Sequence, residues 1–331
     1  MLAQLNRTQP NHSITRHDHK NWQARTEHSN DRYDRGDHSQ HSQDQDKLRK
    51  AAQGHVNKNE APHNVGGVMV RDFPNREGYQ ADFLGVNLPL PELEGDLAAQ
   101  AAPLKDGSHE LKYTHFSVIQ HMERRSPLLT AVNIDGAQYA EHERDGKWVF
   151  DSRIDRKYQL GNEAYSNNSI DRGHMVRRRD PMWGANAEKG QDDTFVYTNA
   201  ALQHADLNQK NWLDLENHVL NGAVEGHKKV SVFTGPVLQD DDPRFDNKGK
   251  IDPPTQMPRA FYKVAVEADP AGGLQGAAYV MHQDDLINHA ASGEKHVELT
   301  NFDQFRVTIK QLEEMTHINF GDIHEAPKEA A

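Results

Sequence analysis

Four consecutive residues, Asp171-Arg172-Gly173-His174, set a carboxylate, a guanidinium and an imidazole along one short stretch of chain. An imidazole titrates near neutral pH and can take a proton from water or return one to a leaving group. A guanidinium stays charged and forks onto the oxygens of carboxylates and phosphates. Glycine ahead of the histidine permits a tight backbone. Such a tetrapeptide taken alone is also compatible with an ordinary structural or exposed histidine. A second constellation lies downstream, where Asn208, Trp212 and Glu216 recur at intervals of four within Asp206–Glu216 (DLNQKNWLDLE). Asparagine and glutamate supply oxygen donors, the kind that Mg²⁺ prefers while it keeps most of its waters. Their bland readings are a helix cap at Asn208 and a solvated helix carboxylate at Glu216. Asp206 looks the better cap, and Asn199, after a strand, is a rival ligand.

Together the two motifs resemble the sugar-non-specific DNA/RNA endonuclease family, the ββα-metal nucleases with a D-R-G-H motif, whose members include endonuclease G. The family pattern is D-R-G-H, then an Asn opening a helix, a Trp four residues on and a Glu eight on. Asn208, Trp212 and Glu216 match it. Phe233-Thr234-Gly235-Pro236 and Phe261-Tyr262-Lys263-Val264 also resemble family strands. The resemblance spans roughly residues 110–324 and implies an α+β fold, a ββα-metal core on a central, mainly antiparallel sheet with flanking helices. It implies metal-dependent hydrolysis of phosphodiester bonds inside DNA and RNA, with 5′-phosphate products. It gives His174 the role of general base and Asn208 that of direct ligand to a hydrated Mg²⁺, for which Mn²⁺ can substitute. Glu216 lies about 12 Å further along the helix, so it is expected to reach the ion through its waters. Asp171 is expected to support the loop that bears the histidine. Two arginines are expected at the phosphate: Arg172, and an upstream one for which Arg153 fits better and Arg156 is the fallback. An inhibitor protein is conceivable but has no signature in the sequence. The rival reading is a nuclease-like module that binds nucleic acid or protein without cutting.

Arg177-Arg178-Arg179 follow His174 closely, and we read them as a local phosphate-binding patch; the alternative is a solvated charged face. Trp183 and Trp212 read as core, and no base-reading element is evident, so little sequence preference is expected.

Elements must hold these residues in place. Leu128–Ile134, Lys147–Asp151 and Thr194–Thr198 read as strands, with turns at Asp135-Gly136 and Asp145-Gly146. Asn208–Ala223 has helical periodicity, with Trp212, Leu215, Val219 and Leu220 on one side. Lys229–Leu238 reads as a buried strand closed by Gly235-Pro236, and Ala260–Glu267 with Gly276–His282 as a later hairpin. Val307–Thr316 begins a short helix with Thr308 as its cap. The irregular mixture favours an antiparallel sheet.

The 331 residues are only 35% hydrophobic, low for a chain packed throughout. Residues 1–62 account for much of this and read as a disordered tail. Seven of its residues are histidines (His12, His17, His19, His28, His38, His41, His55); it is a polar tail, or a metal-scavenging tract. Residues 63–109 read as an arm packing on the core, 110–324 as the nuclease domain and 325–331 as a C-terminal tail. The net charge is −12 and the first 60 residues are slightly basic, so the body is acidic. That argues against a wide basic face for phosphate. With no cysteines, disulfides and thiolate metal sites are excluded. No apolar run has membrane-spanning length and the N-terminus lacks a signal-peptide pattern, so a soluble protein is expected, cytoplasmic or exported by a non-classical route.

Overall fold

The structure, a computed structural model, describes residues 60–288 and 302–327. The expected tail, residues 1–62, lies almost wholly outside them. In chain order the elements that frame the site are β1 (Glu110–Lys112), β2 (Phe116–Gln120), β3 (Pro127–Asp135), β4 (Ile170–His174), β5 (Ala200–His204), α1 (Trp212–Glu225), β6 (Lys229–Val237), β7 (Ala260–Ala268), β8 (Leu274–His282), β9 (Arg306–Val307) and α2 (Ile309–Thr316).

The central sheet runs β9-β8-β7-β6-β3-β2-β1, with every neighbouring pair antiparallel. One short strand, His324–Glu325, joins β8 in parallel. β3 and β6 are buried almost end to end, so both faces of the sheet are covered and their sequences read as mainly apolar runs rather than alternations. β6 continues through Gly235-Pro236 to Val237, where a break was expected. The proline is tolerated because pairing with β3 has already stopped at Thr234, while Pro236 still faces Phe261 of β7.

β4 and β5 form a separate antiparallel hairpin, in register from Ile170↔His204 to His174↔Ala200. A helix follows at once. It opens with a π-type turn over Leu207–Asn211 and continues as α1. Strand, strand and helix form the ββα unit. α1 docks through Trp212 and Leu215, which pack with Phe261, Tyr279, Met281 and Phe302. Trp212 has no exposed surface and its ring stands 5.9 Å from that of Phe261. Truncating such a ring costs about 3–5 kcal/mol, so this contact fixes the helix to the sheet.

Two expected strands differ. Thr194–Thr198 is not one: Thr194 closes a short helix by donating to Gln191 O, and residues 197–199 form a 3-10 turn leading into β5. Of Lys147–Asp151 only Phe150–Asp151 is strand, pairing in parallel with Val70 and Arg71 of the arm. α2 has the expected Thr308 cap, completed as a capping box by Gln311. Among the described residues no helix is long and apolar enough to cross a membrane.

Candidate active site

His174 ends β4, and the chain beyond it is held by Asn199. Met175 N–H donates to Asn199 O (3.0 Å) and Val176 N–H to Asn199 Oδ1 (2.8 Å). Asn199 Nδ2 donates to Val176 O (2.9 Å) and Thr194 O (3.1 Å). Asn199 is fully buried and committed to these bonds. It positions the histidine backbone and is not placed as a ligand.

Side chains alternate along a strand, so Arg172 and His174 share one face of β4, while Asp171 and Gly173 share the other. On the first face an aromatic wall surrounds the imidazole. The Trp148 ring lies 4.8 Å away and Phe195 meets it edge-on at 5.3 Å. Its Nε2 is buried without a partner. Burial, and then the nearby guanidiniums of Arg144, Arg178 and Arg172, push its pKa down to about 3. The ring is therefore neutral at physiological pH and able to accept a proton. Arg172 lies over Trp148 (5.7 Å) and Tyr165 (5.4 Å) and donates to Asn162 Oδ1. Its Nε is also buried and unpartnered. Two polar atoms of the tetrapeptide thus remain unspent on protein partners.

On the second face Asp171 Oδ2 accepts from Asn208 Nδ2 and from Gln209 Nε2, both at 2.8 Å. This fixes the Asn208 amide so that its oxygen, which takes no hydrogen bond among the described residues, remains available. The π-type turn presents Asn208 in this position; such turns recur at functional sites. Asp206 sits at the expected cap position, but its carboxylate makes no capping bond and binds Lys210 Nζ at 2.7 Å instead. Among the described residues no group of three His, Cys, Asp or Glu side chains could enclose a metal. The donor set of one oriented amide oxygen suits a hydrated Mg²⁺, which needs few protein ligands.

Glu216 is buried rather than solvated. It faces Arg177 Nε at 3.7 Å, in a cluster with Asp180 and with Lys263, whose Nζ donates to Thr234 and lies 5.0 Å from the Trp212 ring. Burial pushes the Glu216 carboxyl up to about 7 against the pull of Lys263 and Arg177.

The run after His174 does not form a free cationic patch. Arg177 is buried against Glu216 and Asn217. Arg178 reaches Glu141, Gln191 and His142 O, and Arg179 reaches Glu141 and Tyr139. Arg153 is likewise committed. Its guanidinium bonds Asp151 and Lys112 O, both at 2.7 Å, and lies over the Phe73 and Tyr113 rings. It lines a cleft of about 770 Å³ with Arg76, Lys105 and Lys112, to which His174 does not contribute. Arg156 pairs with Glu163 and covers Phe150.

A third arginine near His174, besides Arg172 and Arg178, is Arg144, which sequence reading did not single out. It is exposed, sits 5.3 Å from the Phe195 ring and has no carboxylate partner among the described residues. Gly146 lets this loop lie flat on Phe195, where a Cβ would fall 1.8 Å from the ring. The signal available in the sequence was the turn Asp145-Gly146 just before Trp148, read as a loop end and not as a carrier of chemistry.

The family described as DNA/RNA non-specific endonuclease matches residues 93–325. An uncharacterized protein of Sinorhizobium fredii is 38% identical over 229 residues, which are 64% of this chain and 33% of that protein, so the chain spans about a third of its length. The mitochondrial endonuclease G of Bos taurus is 27% identical over 59% of this chain and 70% of its own. The solved structure of an EndoG/EndoGI complex has a TM-score of 0.52 at 22% identity, covering 66% of this chain and 87% of that one. That likeness supports the fold, and the family match over most of the described residues settles the affiliation: the chain belongs to the DNA/RNA non-specific endonuclease family.

Proposed function

We propose that the protein cleaves phosphodiester bonds within DNA and RNA, using a hydrated Mg²⁺ and leaving 5′-phosphates. The observation that carries this reading is a neutral, partnerless imidazole at the end of β4 on the same ββα unit as an oriented, unspent amide oxygen on Asn208. His174 takes a proton from the attacking water. Burial and three arginines hold it neutral beforehand; a bound phosphate offsets those charges and raises its proton affinity when it is needed. Arg172 and Arg144 hold phosphate oxygens, the former clamped by rings and Asn162, the latter without a carboxylate partner among the described residues. Asp171 orients Asn208, which would hold the cation. Bound there, the cation stabilises the charge growing on the phosphate and leaving oxygen. Glu216, which pairs with Arg177, would act on the ion only by way of water. The family's description as non-specific supports cleavage without sequence preference, and an inhibitor protein like the one named in the EndoG/EndoGI complex is a partner the reading adds. The test is plasmid and RNA digestion with Mg²⁺, Mn²⁺ or EDTA. Wild type should nick plasmid in metal and not in EDTA, and His174→Ala should bind but not cut. Undiminished cutting by His174→Ala, or plasmid binding by wild type with no cutting in either metal, would overturn the reading.

A further inference from the structure

The stretch Val68–Arg76 precedes the region that the family matches, residues 93–325, yet it grips both walls of the His174 pocket from behind. Trp148 and Phe195 are those walls. Their backbones are joined through Val149, whose N–H donates to Phe195 O and whose carbonyl accepts from Tyr197 N–H, both at 3.0 Å. The strand Val68–Arg71 adds beside them, pairing Val70 with Phe150 and Arg71 with Asp151. Alternation puts Val68 and Val70 on one face, and both pack, as Trp148 does, against the core around Phe150 and Tyr197. Met69, on the other face, is exposed. Further on, Arg76 forks onto Asp193, just ahead of Phe195, with Nε at 2.7 Å and Nη2 at 3.1 Å. Asp193 has no exposed surface and also takes Arg71 at 3.8 Å and the Thr114 hydroxyl at 2.8 Å. A carboxylate that deep needs such partners, and through them the Phe195 segment is tied to the arm. The arm's cations are spent there. The charges that face the imidazole come from elsewhere: Arg172 on its own strand, Arg178 beyond it and Arg144 before Trp148.

We propose that Val68–Arg76 is a positioning element for catalysis, which presses Trp148 and Phe195 onto the His174 imidazole and keeps water from it. This rests on the reading of His174 as general base. Walls that loosen admit water, which favours the charged ring, and let the base leave its attack geometry.

The experiment is steady-state nicking of supercoiled plasmid in Mg²⁺ from pH 4 to 8, with thermal unfolding of the same samples. Wild type, Val68→Ala/Val70→Ala, Arg76→Lys, Met69→Ala and His174→Ala are compared. Arg76→Lys keeps a cation for Asp193 and loses the fork. Both the valine pair and Arg76→Lys should lower kcat by up to about 100-fold, the scale of a misplacement of about 1 Å, with KM unchanged because Arg144 and Arg172 are untouched. In both, the acid limb of kcat/KM should move up toward the ordinary imidazole value of 6.5. Met69→Ala should match wild type. If the valine pair melts below the assay temperature, Val70→Ala alone carries the test. A lower melting temperature with wild-type kcat, or with an acid limb that stays in place, would overturn this proposal alone. Undiminished cutting by His174→Ala would remove the reading beneath it.

Discussion

Arg144→Ala compared with Arg153→Ala separates an arginine that acts on substrate from one that holds the fold. Arg144 is exposed, carries no ion pair among the described residues and lies over the Phe195 ring that meets His174. Its removal should leave stability within about 0.5 kcal/mol. If its guanidinium meets charge that grows in the transition state, the loss should resemble that of one oxyanion donor, about 10²–10³ in kcat. Arg153 presents the opposite case. Asp151 is wholly buried, and Arg153 binds it at 2.7 Å with its own side chain 26% exposed. Removing it strands a carboxylate that keeps Tyr113 OH and one backbone N–H donor, that of residue 153, so we take the low end of the range for broken buried pairs, about 3 kcal/mol. For a domain of this size that lowers Tm by about 6–12 °C. Single-turnover nicking of supercoiled plasmid, with thermal unfolding of the same samples, reads both quantities. An Arg144→Ala enzyme cutting at the wild-type rate, or an Arg153→Ala enzyme that melts normally yet cuts slowly, would refute this assignment.

The depressed pKa of His174, about 3 against an ordinary 6.5, predicts that kcat/KM stays level from pH 8 down to about 5; a decline centred near 6.5 would refute it. The same depression makes the unfolded chain bind a proton that the native state refuses, so stability should fall as pH drops from about 6.5 toward 3, and His174→Ala should flatten that slope. Gly173→Ala should destabilise by about 1–3 kcal/mol through overpacking on Gln203, whose Oε1 lies 2.4 Å from where the new Cβ would fall. Combining it with Gln203→Gly should cost less than the two changes separately, and strictly additive melting shifts would contradict the contact seen here.

Much of the frame was legible because strong local signals agree with the fold. The apolar runs at Leu128–Ile134 and Lys229–Leu238 are strands because both faces of the sheet are covered, and Trp212, Leu215 and Leu220 are one helix face. Thr194–Thr198 has strand composition, yet tertiary bonds override it: Asn199 must turn to grip Val176. In the site, the spacing of Asn208 and His174 was readable, but the bond that ties Asn208 to Asp171 was not, since a hydrogen bond across 37 residues leaves no periodic trace. Arg144 escaped notice for a related reason. It acquires its meaning from Phe195, a neighbour distant in sequence.

The pairing of Arg177, Arg178 and Arg179 with Glu216 and Glu141 bears on how a polyanion finds this surface. The run spends its charge internally, on a chain of net charge −12, so the long-range field repels nucleic acid rather than steering it in. Encounter should quicken as added electrolyte shortens the Debye length. If Arg144 and Arg172 are the groups that grip the phosphates, as proposed, docking displaces about two counterions, and a fourfold rise in salt should weaken the complex only about tenfold. A nuclease built this way tolerates brine better than one with a broad basic face.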